Sequence, residues 1–228
     1  MVTAPRFAQG MTFDQYVRFT ASPENLAREG SRGPRRDWSG YLRSAYDATR
    51  LSPAHEAAWK WLVGQPGGPA KVLVISEEWS SDCRRDIPTI AKVADLAGLE
   101  LRIFTRDGQR NGRGPQPEAD SPNADLMGQF LRHRDGRTFQ SIPVVAFYTR
   151  DFQPLYTYVE FPAVYHKDRL VRPLDASRPG ENEAQTRERR DREFMEMLGS
   201  PFFHVWQCAA VDEWASLLYE RLRLGSLA

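Results

Sequence analysis

The spacing of apolar positions changes once along the chain, near residue 66. Ahead of that point the periodicity is helical. Thr12 and Gln15 resemble a capping box in front of Phe13, Tyr16, Val17 and Phe19. Ser22 with Pro23, and Ser52 with Pro53, each pair an N-cap residue with a proline at the first helical position. The second pair opens "AHEAAWKWLV", which the cluster "GQPGGP" stops. Between them "SRGPRRD" reads as a solvated basic loop. Beyond residue 66 the pattern is mixed. "KVLVIS" is a continuous apolar run, as in a strand buried on both faces. "CRRDIPTIAKVADLAG" reads as a helix closed by Gly98, and "LELRIFT" alternates like a strand. A Gly/Pro-rich loop leads to a short helix at "ADLMGQFLRH". "IPVVAFYT" and "PLYTYVEF" are close enough to form a hairpin. A polar segment with a charge-laced helix, "NEAQTRERRDREFMEML", precedes the amphipathic "FFHVWQCAAVDEWASLLYERLRL".

This order predicts an α/β architecture with a βαβαββα core. The first two connections are expected to join parallel strands by right-handed crossovers, and the hairpin to add an antiparallel edge. Residues 1–66 form a helical extension, residues 67–228 the main domain, and an insertion precedes the last helix.

Composition narrows the function classes. The chain has 228 residues and a net charge of +1, which gives no electrostatic footprint for nucleic acid or an anionic membrane. No apolar run approaches a bilayer span, and the first residues lack a signal-peptide core, so a cytoplasmic location is expected. Two cysteines do not make a disulfide scaffold, in keeping with a reducing compartment. No metal or cofactor is expected. His204 and Cys208, at i and i+4, are too few ligands for a structural zinc site.

The chemistry concentrates at "VISEEWSSDCRRDIPTI", where an apolar strand runs into Trp79 and a helix begins around Cys83. Cys83, Ile87, Ile90, Ala94 and Ala97 form one stripe of that helix, so the thiol points at the sheet. Arg84, Arg85 and Lys92 lie on the other side. Ser80 and Ser81 suit helix initiation, and Asp82 adds negative charge where the helix dipole favours it. Hydroxyls at a helix N-terminus also suit ligand binding. Cys208 lies off the apolar stripe of the last helix, formed by Phe203, Trp206, Ala210, Trp214 and Leu217, and is a poor partner for Cys83.

These motifs, in this element order, resemble the thioredoxin superfamily. "WSSDC" lies where thioredoxins carry Trp-Cys-Gly-Pro-Cys, Pro88 where the active-site helix has its kinking proline, and "SIPVVAFY" where the family has its cis-proline. The sequence is especially similar to bacterial thioredoxin-like proteins with a helical N-terminal extension and an E-[DE]-W-x-x-D motif. The resemblance implies a thioredoxin-like fold over roughly residues 70–160 plus the last helix, and a cis bond at Ile142–Pro143. It also implies a peptide-pairing backbone just before Pro143.

Two departures bear on function. Ser80 replaces the family's attacking cysteine, and Val74 stands where thioredoxins keep a buried aspartate. A hydroxyl cannot form a mixed disulfide. The expected protein is therefore a degenerate SxxC member that binds a protein or peptide partner near Trp79, Ser81, Asp82, Ile142 and Pro143. The rival expectation is a thiol–disulfide or peroxide-handling enzyme acting through Cys83, with Ser80 beside it. Small-ligand or glutathione-type binding at Ser80 is a third. "RDGQRNGRG" as an anion grip, and His166 with Lys167 as site-lining residues, are lesser candidates.

Overall fold

"KVLVIS" forms β3 (Lys71–Ser76), one of the two inner strands of a four-stranded sheet. Its neighbours are β4 (Glu100–Thr105), parallel to it, and β7 (Val144–Tyr148), antiparallel; β8 (Pro154–Val159) pairs with β7 at the far edge. In this computed structural model residues 2–31, 33–163 and 177–224 are described. His166 and Lys167 lie outside them.

The second connection is a correction to the expected parallel crossover. Only α7 (Ala124–Met127) is helical there, and it is followed by a small hairpin, β5 (Arg132–Arg134) with β6 (Arg137–Phe139). One turn of helix cannot carry the chain back along the sheet. The chain therefore enters β7 at the end where it left β4, and Val144 pairs with Ile75.

One face of the sheet is covered by α6 (Ser81–Ala97), with α4 (Ser39–Ala48), α5 (Pro53–Val63) and the last helix, α9 (Pro201–Leu224), packed around it. Trp59 of α5 and Trp214 of α9 meet Phe147 of β7, with ring centroids 5.9 and 6.4 Å apart. Fully buried aromatics of this size contribute a large share of the burial energy that holds a small sheet. On the other face α1 (Ala4–Phe7) sets Phe7 against Phe152 at 5.4 Å and Arg6 over the ring of Phe104.

Caps define the helix ends. Thr12 and Gln15 form the capping box of α2 (Phe13–Thr20); Ser22 caps α3 (Pro23–Leu26); Ser52 caps α5. Gly98 ends α6 with φ 71°, a left-handed conformation that glycine adopts without a Cβ penalty. Between α2 and β4, Met11 makes an isolated antiparallel bridge with Ile103, through N–O distances of 2.9 and 2.8 Å. The charge-laced segment forms α8 (Glu183–Leu198).

In α9 the buried stripe is Phe203, Gln207, Ala210, Val211, Trp214 and Leu218. Leu217, assigned to that stripe from spacing alone, is 40% exposed instead, because the helix is rotated toward Val211 and Leu218.

Candidate functional site

The site is built where β3 runs out. Ser76 ends the strand, Glu77 to Ser80 form the turn, and Ser80 is the N-cap of α6, its hydroxyl accepting from the Cys83 N–H at 3.4 Å. Capping of this kind typically stabilises a helix by about 1 kcal/mol. Cys83 occupies the first turn and is 1% exposed, facing the sheet. Burial pushes its thiol up to about 12 and outweighs the opposing hydrogen bonds from the Ser76 side chain, the Glu77 backbone and the Ser80 side chain. Behind Ser76 the Tyr16 hydroxyl lies 2.9 Å from its Oγ. Neither Cys83 nor Cys208 forms a disulfide; Cys208 Sγ lies 3.6 Å from His204 Nε2.

Two carboxylates at the end of a buried strand need counter-charges. "SRGPRRD" supplies one, and this overturns its reading as a solvated loop. Its glycine and proline form β2 (Gly33–Pro34), paired with β1 (Glu29–Gly30), and the hairpin delivers Arg35 into the interior. Arg35 Nη1 lies 2.6 Å from Glu77 and 2.8 Å from Glu78, and its Nη2 lies 3.1 Å from Asp107. Arg28 donates to Glu77 at 2.9 Å and to the carbonyls of Asp107 and Gly108. Arg106 meets Asp107 at 2.7 Å. Burial raises the Glu77 carboxyl and Asp107 adds to the effect, while Arg28 and Arg35 oppose it. Burial disfavours the Arg35 charge, but Glu77 and Glu78 more than offset this and hold its guanidinium above the ordinary value.

Arg84 and Arg85 are likewise not solvated. Arg84 stacks 3.9 Å from the Trp38 ring centroid and donates to the carbonyls of Glu78 and Trp79. Arg85 grips Asp86 through two hydrogen bonds of 2.6 and 2.7 Å and also meets Asp82 at 2.8 Å. Tyr158 donates to the same Asp86 at 2.8 Å. The sheet and the N-terminal helices thus cover both flanks of the first turn of α6, not only the thiol side.

Trp79 is half-buried and held in place. Its indole N–H donates to Asp107 at 3.0 Å, and Arg106 lies 5.1 Å from its ring centroid. The Ile142–Pro143 peptide bond is cis. Continuing the Ile75–Val144 register sets Pro143 opposite Ser76, next to the motif. Ser141 and Ile142 are only 9% and 7% exposed, and Pro143 is buried. Gln140 explains part of this cover: its side chain ties to the carbonyls of Gly114 and Gln116, and its own carbonyl accepts from Arg106 at 3.0 Å. In the loop "RDGQRNGRG", Arg106 is thereby engaged; Arg113 meets Glu29 at 3.1 Å, and Arg110 approaches Glu118 at 4.0 Å.

The residues singled out from sequence therefore come together, but with unequal access. Ser80, Cys83, Ile142 and Pro143 are buried; Trp79, Ser81 and Asp82 are half-exposed. Arg28, Arg35, Glu77, Glu78 and Asp107 were missed. The signal for them was Glu77–Glu78 abutting a fully apolar strand, a placement that demands buried arginines nearby. Among the described residues no cluster of three His, Cys, Asp or Glu is arranged to hold a metal ion.

A family model described as Thioredoxin matches residues 35–114, from Arg35 through β3, the motif, α6 and β4. The chain carries a thioredoxin-like domain. Two solved structures share this thioredoxin-like fold at 15% identity, each alignment covering 96% of this chain and 99% of the other. One is a protein of unknown function from Pseudomonas aeruginosa, with a TM-score of 0.54; the other is an HIV epitope scaffold, with a TM-score of 0.56. At that identity they speak to the fold alone. No curated protein matches the sequence. No helix among the described residues is long and apolar enough to cross a membrane.

Proposed function

We propose that this thioredoxin-like protein recognises a protein or peptide partner at the half-exposed face formed by Trp79, Ser81 and Asp82, and does not exchange disulfides. The supporting observation is the state of the one thiol in the motif. Cys83 is buried, its pKa is pushed up to about 12, and the position where an attacking sulfur would stand holds the capping hydroxyl of Ser80. Thiol–disulfide exchange requires a thiolate with access to its target. Trp79, by contrast, is fixed by Asp107 and Arg106 with part of its ring open, the arrangement of a preorganised aromatic anchor. Ile142 and Pro143 act as buried support behind that anchor.

The enzymic alternative has one observation in its favour: Ser76, Glu77 and Ser80 hydrogen-bond the Cys83 sulfur, and such contacts favour a thiolate. Burial outweighs them. Insulin reduction with dithiothreitol separates the readings. Wild type and Cys83→Ser are expected to be equally inactive, and Ser80→Cys to gain turnover, since a thiol at a helix N-cap is acidified. Wild-type turnover that disappears in Cys83→Ser would replace the binding reading with the enzymic one.

A further inference from the structure

Resting on the partner-binding reading of Trp79, we infer that the recognition face extends across Ser81 and Arg84 to a second aromatic anchor, Trp38. It takes an extended partner segment with two uncharged apolar side chains. Trp38 breaks a local rule. It is the N-cap of α4, a position that favours Ser, Thr, Asp or Asn, and its side chain makes no capping bond. The Ser39 N–H donates instead to Asp37 at 2.8 Å. Residues that defy local preference are expected at functional sites.

The two indoles are held alike. Arg84 stacks 3.9 Å from the ring centroid of Trp38, Arg106 lies 5.1 Å from that of Trp79, and both arginines are buried. Tyr41 meets Trp38 edge-on, with ring centroids 5.9 Å apart. Both indoles are half-buried, so each presents its exposed remainder from a fixed base. One buried cluster sets both positions. Asp107 accepts from Trp79 at 3.0 Å and from Arg35 at 3.1 Å, and Arg35 stands three residues before Trp38. Arg84 joins the two, since the guanidinium stacked on Trp38 also donates to the Trp79 carbonyl at 2.9 Å. The rings therefore lie within roughly 15 Å of each other, a span of about four or five extended residues. Ser81, half-exposed and one turn before Arg84 on the same side of α6, continues the face.

The guanidiniums decide the partner's chemistry. An aromatic face attracts a cation through its quadrupole, and here a cation already backs each ring. A second cation on the open side would meet the repulsion of the first. Uncharged apolar or aromatic side chains gain burial against the indoles without that cost. Tryptophan and arginine are also the residue types that dominate binding energy at interfaces.

A phage-displayed random-peptide library panned on the full-length protein supplies the probe. Selected peptides are expected to carry two apolar residues about three to five positions apart. The tightest of them, fluorescently labelled, should bind Trp38→Ser and Trp79→Ala at least about 10-fold more weakly than wild type, as loss of an aromatic anchor does. Trp61→Ala, which removes a 47% exposed indole on α5, should leave binding unchanged. Trp38→Ser installs a favoured N-cap residue, so its urea midpoint should stay near that of wild type. In wild type the peptide should also move the indole N–H resonances of Trp38 and Trp79 and not that of Trp61, a readout independent of any variant's folding. Normal binding by Trp38→Ser, or an unmoved Trp38 resonance, overturns the second anchor and leaves the Trp79 reading intact. Peptides indifferent to Trp79→Ala, or no selection at all, overturn that reading and the second anchor with it. Enrichment of Lys or Arg among the peptides overturns the uncharged partner.

Discussion

Cys83 and Ser80 stand three residues apart with opposite fates. The hydroxyl is consumed by capping, and the thiol is driven neutral by its surroundings. Much of this was legible beforehand, since the stripe through Ile87 and Ile90 fixed the direction of Cys83 and the Ser-Ser-Asp run marked a helix start. What spacing could not convey was the depth of burial, which depends on Tyr16, Ser76 and the N-terminal helices together. The consequence appears at alkaline pH. Cys83 is raised from 9.0 to about 12, Tyr148 from 10.0 to about 12, and Tyr16 and Tyr158 well above 10.0, each chiefly by burial. Unfolded, these groups lose their protons first, so the folded state binds more protons above pH 9. The stability they contribute is present in full below about pH 9 and is lost as pH rises toward 12. Urea midpoints measured between about pH 8 and 11 should therefore fall. In Cys83→Ser the fall should be shallower between about pH 9 and 10, where Cys208, also raised by burial, still contributes before the tyrosines do.

The element that most changed the picture is the small hairpin of β1 and β2. Its Gly/Pro content and run of arginines look like solvent-facing loop, because local composition does not register a buried carboxylate forty residues away. Arg35 is in fact the common partner of Glu77, Glu78 and Asp107. Removing one member of a buried charge cluster strands the others. Arg35→Ala is therefore expected to cost about 3–5 kcal/mol in urea unfolding. A loss under 1 kcal/mol would mean that the acids are hydrated rather than paired. The β5–β6 hairpin was missed for a different reason. Its turn signal, Asp135–Gly136, is present, and both residues adopt positive φ, 50° and 71°. The three-residue strands are too short for period-two alternation to stand out, and the apolar residues before them continued a helical pattern.

Across the whole molecule, strand existence and order were readable from "KVLVIS", "LELRIFT" and the paired strands near Pro143, because buried strands advertise themselves as apolar runs. Strand direction was not, since it turned on whether "ADLMGQFLRH" held enough helix to cross the sheet. The spacing in residues 1–66 predicts helices alone, yet Met11 also bridges the edge of the sheet, by bonding both backbone groups of Ile103. That bridge occupies the outward backbone groups of Ile103, while Asn123 takes the carbonyl of Thr105 further along the same border. A protein beginning at Thr12 would leave the Ile103 backbone groups of β4 open to docking strands from its neighbours, a first step of edge-to-edge aggregation. Light scattering of the shortened protein on warming should rise at temperatures where the full-length chain still gives a flat trace.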